Sequence, residues 1–159
     1  MSERHCLHAV LIAAFTCLGA LAHPHAAQAQ KSPLEAAAHI KCAFSAMASG
    51  TWSKDGDTTA EVKKATLTLE YKSIDVSGGS AEAVGIGSNF FITVRSVGGS
   101  LHLLTIGDAG PAYLTTVFNR PAHPGTFKAV HTRHEFTDVA IPGFTSRPEQ
   151  YVGECQILE

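Results

Sequence analysis

"SPLEAAAHIKCAFSAMASG", Ser32 to Gly50, supports two incompatible structures, and the choice between them decides whether this chain forms an open sheet or a closed one. Ser32, Pro33 and Glu35 make a capping-box start with proline at the first helical position, and Gly50 stands where a helix would end. Propensity therefore points to a helix. From Ile40 onward, however, Ile40, Cys42, Phe44 and Ala46 alternate with Lys41, Ala43 and Ser45, which is the period of a strand with one buried face. On that alternative only Pro33 to Ala38 turns helically. The strand is favoured because a strand carrying Cys42 can pair with the last strand, carrying Cys155, and close the sheet on itself, which removes both exposed edges.

The rest of the chain supplies the sheet. Turn signals recur at short intervals: "SGG" at 77 to 79, "GIGSN" at 85 to 89, "VGG" at 97 to 99, "GDAGP" at 107 to 111 and "AHPG" at 122 to 125. Between them lie "KATLTLEYKSIDV", "SAEAVGI", "FFITVRSV", "SLHLLTI", "AYLTTVF", "TFKAVHTRHEF" and "QYVGECQIL", each rich in β-branched and aromatic residues. In the first, Leu67, Leu69 and Tyr71 take one face while Thr66, Thr68 and Glu70 take the other. The fold class this predicts is all-β, an antiparallel meander of seven or eight strands in a closed or nearly closed barrel with one disulfide. The stretch 137 to 150, "TDVAIPGFTSRPEQ", has two prolines and no period, so a surface loop or flap is expected there.

Residues 1 to 29 read as a secretory signal peptide: Arg4 precedes the apolar run "AVLIAAFTCLGALA", and Ala27-Gln28-Ala29 has the small-residue pattern of a cleavage site. That run falls short of the roughly 20 residues a helix needs to span a bilayer, so no membrane span is expected. The remainder, 30 to 159, is the size of one domain with one core. Glu3 and Arg4 cancel, so the net charge of −2 belongs to this domain. Without a basic field, nucleic acid is not an expected partner. Cys6 and Cys17 fall within the leader, leaving Cys42 and Cys155 to pair in an oxidising compartment, which places the protein in the periplasm or outside the cell.

"FKAVHTRHEF" brings two histidines beside a glutamate, the residue types of a metal site. In a strand, His131 and His134, three apart, face oppositely and cannot share an ion unless a bulge intervenes. No metal is assigned, and the two histidines stand as outside candidates for a metal or catalytic role. Arg133 beside Glu135 reads as a solvated pair, and Asp55 with Asp57 in "KDGD" as turn chemistry. There is no G-x-S-x-G elbow and no phosphate-cradling glycine loop, so no catalytic residue and no cofactor is expected.

Gly50-Thr51-Trp52 looks like the G-x-W of the small secreted calycin-type barrels, the lipocalins, avidins and periplasmic inhibitors of metalloproteases. The tail, "TTVF", "FKAVHTRH" and "QYVGEC", is similar to secreted β-proteins of Gram-negative bacteria, a resemblance that brings no activity with it. Because a barrel of about eight strands can just enclose one small ligand, the leading expectation is a non-enzymatic binding protein with a small apolar ligand in the barrel interior or mouth. Trp52, Phe90, Phe91, Tyr113 and Phe118 are the candidate lining residues. The alternative is a protein-binding module such as a periplasmic protease inhibitor, reaching its partner with "QKSPLEA" or with the 137 to 150 loop.

Overall fold

The computed structural model describes residues 32–84, 91–107, 110–136 and 147–159. The expected leader over 1–29, Phe90 and most of the 137–150 stretch lie outside the described residues.

After one short helix, α1 (Pro33–Ala36), come eight strands: β1 (Ile40–Trp52), β2 (Thr58–Asp75), β3 (Ser80–Ala83), β4 (Ile92–Val97), β5 (Ser100–Ile106), β6 (Ala112–Pro121), β7 (Thr126–His134) and β8 (Glu149–Ile157). Each pairs antiparallel with its neighbours in chain order, and β1 pairs with β8 to close the ring. The capping signal in "SPLEAAAH" is used, but only for one turn. Ser32 Oγ accepts from Leu34 N at 3.3 Å, and the chain turns extended at Ala37. Beyond that point tertiary pairing overrides helix propensity, because a helix over 39–50 would leave β2 and β8 with unpaired edges.

The alternation predicted for β1 holds only as far as Phe44. Ile40, Cys42 and Phe44 face the interior, but the register of β1 against both neighbours shifts between Phe44 and Ala46. This β-bulge moves the inward face onto Met47 and Ser49, so Ala46 is not the core residue its spacing suggested. Across the bulge lies Gly153, opposite both Phe44 and Ala129. A Cβ on Gly153 would stand 2.6 Å from Phe44 Cα and closer still to Ala43 O, so this strand position must have no side chain.

The interior is filled with side chains from every long strand, among them Phe44, Val94, Leu101, Leu103, Val117 and Ala129, none more than 2 % exposed. One end is plugged by α1. Leu34 is buried there, Ser32 Oγ donates to Gly99 O at 3.0 Å, and Glu35 accepts from Ser96 Oγ at 2.9 Å. From Ser32 on, the "QKSPLEA" segment is thus docked across the barrel end. Beneath it, Gly98 and Gly99 (φ 59° and 78°) form the two-residue hairpin between β4 and β5, a backbone course that favours glycine at both positions.

The disulfide joins Cys42 on β1 to Cys155 on β8, directly opposed residues with Cα atoms 3.9 Å apart. It therefore crosses the ladder that closes the barrel. β2 is longer than the alternation suggested, beginning at Thr58 instead of Lys64. Thr58 to Lys64 is exposed on both faces and pairs with β1 as an arm projecting from the barrel.

Candidate functional site

Two features stand out at the barrel end away from α1: a polar cluster inside the wall, and a cleft beside it.

β7 supplies the centre of the cluster. Its alternation turns His131 inward, 4 % exposed, and leaves His134 exposed, so the two rings do not converge. Among the described residues no group of three or more His, Cys, Asp or Glu side chains is placed to hold a metal ion. His131 lies parallel to Tyr113 with ring centroids 6.4 Å apart, and Phe44 and Tyr151 close round it at 5.9 and 6.0 Å. Its Nδ1 meets Thr115 Oγ1 at 2.8 Å, and Thr115 Oγ1 meets Tyr71 Oη at 2.7 Å. Thr115 Oγ1 can accept one of these bonds and donate the other, so the chain is satisfied by a neutral imidazole in either direction.

Burial drives His131 from its usual 6.5 down to about 4, and the nearby Arg133 guanidinium adds to the effect. Because the folded-state value is depressed, an unfolded chain binds more protons between pH 6.5 and 4. The neutral ring's contribution is fully present above 6.5 and lost as pH falls through that window, by roughly 3 kcal/mol in all. Urea unfolding of His131→Phe at a series of pH values is expected to give a flatter stability curve between pH 6.5 and 4.5 than wild type. Parallel curves would show that His131 does not titrate as its surroundings dictate.

Arg133 and Glu135 do not form the solvated pair expected from sequence. Arg133 Nη1 lies 3.8 Å from Glu149, and its guanidinium sits 5.3 Å over the Tyr151 ring. Glu135 instead accepts from Tyr113 Oη at 3.4 Å. Tyr151 Oη donates to Glu149 at 2.5 Å, and burial together with that carboxylate pushes the phenol up to about 12. Burial also raises Tyr71 and Tyr113. Glu149 and Tyr151 are not among the candidate residues of the sequence. The alternation of "EQYVGEC" puts Glu149 on the same face as Tyr151 and Cys155, a usable signal, whereas the meeting of Tyr71, Thr115 and His131 depends on register across three strands that only the fold supplies.

The cleft lies where the β1–β2 arm leaves the barrel. Gly50, Thr51 and Trp52 of β1, Thr58, Thr59 and Ala60 of β2, and Pro148 line an open cleft of about 400 Å³. Ala60 pairs across from Gly50 and Thr58 from Trp52. Gly50 keeps the floor open, since a Cβ there would meet nothing nearer than Thr59 O at 4.0 Å. Trp52 is 55 % exposed and meets Phe136 edge-to-face at 5.6 Å, with Phe136 itself 57 % exposed. At the arm's tip, Ser53 Oγ accepts from the backbone N–H of Asp55 and Asp57, so the serine hydroxyl and not an aspartate side chain organises the "KDGD" turn.

The aromatic residues singled out from sequence are dispersed. Trp52 walls the cleft. Phe91 is exposed at the start of β4, at the same barrel end, and Phe118 is exposed on the outer face of β6. Tyr113 faces inward against His131. Gly50-Thr51-Trp52 closes β1. Among the described residues no helix is long and apolar enough to cross a membrane. Comparison of the chain with protein-family models, with curated proteins and with solved structures finds no match.

Proposed function

We propose that the protein is an exported, non-enzymatic binding module that takes a small apolar ligand in the cleft on Trp52, beside the barrel mouth and not in its lumen. The observation that carries this is the cleft itself: about 400 Å³, within the range of small-molecule sites, bounded by glycine, alanine, proline and threonine and walled by an exposed tryptophan. A large aromatic surface left in water beside a concave apolar floor is costly unless something covers it, and a flat apolar ligand stacked on the indole would do so. The filled lumen argues against an interior site. The leader expected over 1–29 from its sequence, together with the disulfide, supports a periplasmic or secreted location.

Trp52 is the chain's sole tryptophan, so it reports on the site directly. Titration with anilinonaphthalene sulfonate is expected to give saturable energy transfer from Trp52 to the bound probe. Gly50→Leu, which puts a side chain into the open floor, should weaken binding by about tenfold or more, as should Phe136→Ala, while Phe118→Ala on the outer face leaves it unchanged. Equal binding by the Gly50→Leu variant, or no saturation with the wild-type protein, would overturn the assignment. In the second case a protein partner at the same rim becomes the better reading.

A further inference from the structure

The arm of β2 has a second side. Toward β1 it is fully paired from Thr58 to Lys64, and β3 reaches β2 only at Tyr71, Lys72 and Asp75. Among the described residues nothing pairs with the outer edge of Thr58 to Lys64, and Val62 there is 80 % exposed. The direction of the backbone groups on that edge follows from neighbouring bonds. Ser53 N donates to Asp57 O, so the odd-numbered residues of the arm turn their N–H and C=O toward β1. Gly50 N donates to Pro148 O, so Gly50 turns its own toward the β8 side, and its partner Ala60 therefore turns outward. Among the described residues, nothing takes the donor and acceptor that Ala60, Val62 and Lys64 each turn outward.

We infer that this edge pairs with the same edge of a second copy of the chain, antiparallel, across a two-fold axis at Val62. In that register Val62 faces Val62 of the other copy as a hydrogen-bonded pair, and Ala60 faces Lys64, again with both backbones turned toward each other. Glu61 falls directly opposite Lys63 of the other copy, twice over by symmetry. These two side chains already meet within one chain at 3.1 Å, with Ser49 Oγ donating to Glu61 at 3.3 Å, so the dimer builds a four-membered ring of alternating charge on one face. The register that centres on Lys64 instead sets two lysines against each other. Lysines in mid-edge ordinarily repel a foreign strand, and only a partner with acid at the matching position neutralises Lys63, which this chain itself provides. The outcome is an isologous contact that extends the sheet of one barrel into the next.

Sedimentation velocity on the protein isolated from expressing cells tests this. The wild type is expected to dimerise with rising concentration. Val62→Pro removes one outward N–H at the axis while leaving the β1 ladder intact, and should be monomeric with an unchanged circular dichroism spectrum. Glu61→Lys should also be monomeric, and Glu61→Lys/Lys63→Glu, which exchanges the charges but keeps them complementary, should restore the dimer. A wild type that stays monomeric up to its solubility limit overturns the inference, as does a dimer indifferent to Glu61→Lys or a charge-exchanged variant that remains monomeric.

Discussion

Replacing both cysteines, Cys42→Ala with Cys155→Ala, is expected to lower stability by about 4 to 5 kcal/mol and the melting temperature by roughly 15 °C. The bridge spans 113 residues and ties the first strand to the last across the one ladder in the barrel that joins distant parts of the chain. Every other strand pair links neighbours in sequence, whose encounter costs little loop entropy. The β1–β8 pairing must gather nearly the whole domain, and the covalent bond removes that cost from the unfolded state. Urea unfolding of the oxidised wild type, the reduced wild type and the double alanine variant separates this effect from the small cavity the alanines leave. The reduced protein and the variant should fall together, well below the oxidised form. A loss of less than about 1 kcal/mol would mean that the unfolded chain already holds its ends together.

The second large effect is expected at Gly153. A methyl group there would overlap the backbone of β1 at Ala43 and Phe44, where the bulge presses the two strands together, and because the nearest atoms are all backbone there is no flexible side chain to yield. Gly153→Ala should cost about 3 kcal/mol or more, an effect of the size seen when a core is overpacked beyond its capacity to adjust. Gly50→Ala, also on a paired strand but with open space around it, should be close to neutral. If the two substitutions proved equally mild in thermal unfolding, the bulge would not bring β1 as close to β8 as the structure has it.

These two positions also mark what sequence reading reaches and where it stops. Cys42 and Cys155 were legible because they are the two cysteines left outside the expected leader, and the alternation of Ile40, Cys42 and Phe44 was enough to prefer a strand and hence closure. Gly153 was not, since nothing in "YVGEC" announces that a bulge seven strands away along the meander will be laid against it. The β2 arm was missed because "TTAEVKK" lacks an apolar face, and period-two hydrophobicity detects only strands that bury one. Trp52 is a candidate lining residue in the sequence, but Gly50, Ala60 and Pro148 are individually bland and become a cleft only when β1, β2 and the approach to β8 meet. His131 was seen in the sequence as a metal-site question. The fold answers with three aromatic rings and a threonine hydroxyl, none of them adjacent to it in the chain.

On the proposed function, binding occurs in the cleft on the outside of a filled barrel. Chemical-shift mapping of the isotopically labelled protein during titration with anilinonaphthalene sulfonate tests it most directly. Shifts concentrated at Gly50, the Trp52 indole, Ala60 and Phe136, with Phe44, Leu101, Leu103 and Val117 unmoved, are the predicted result. Shifts centred on those four interior side chains would place the ligand in the lumen and overturn the assignment to the Trp52 cleft.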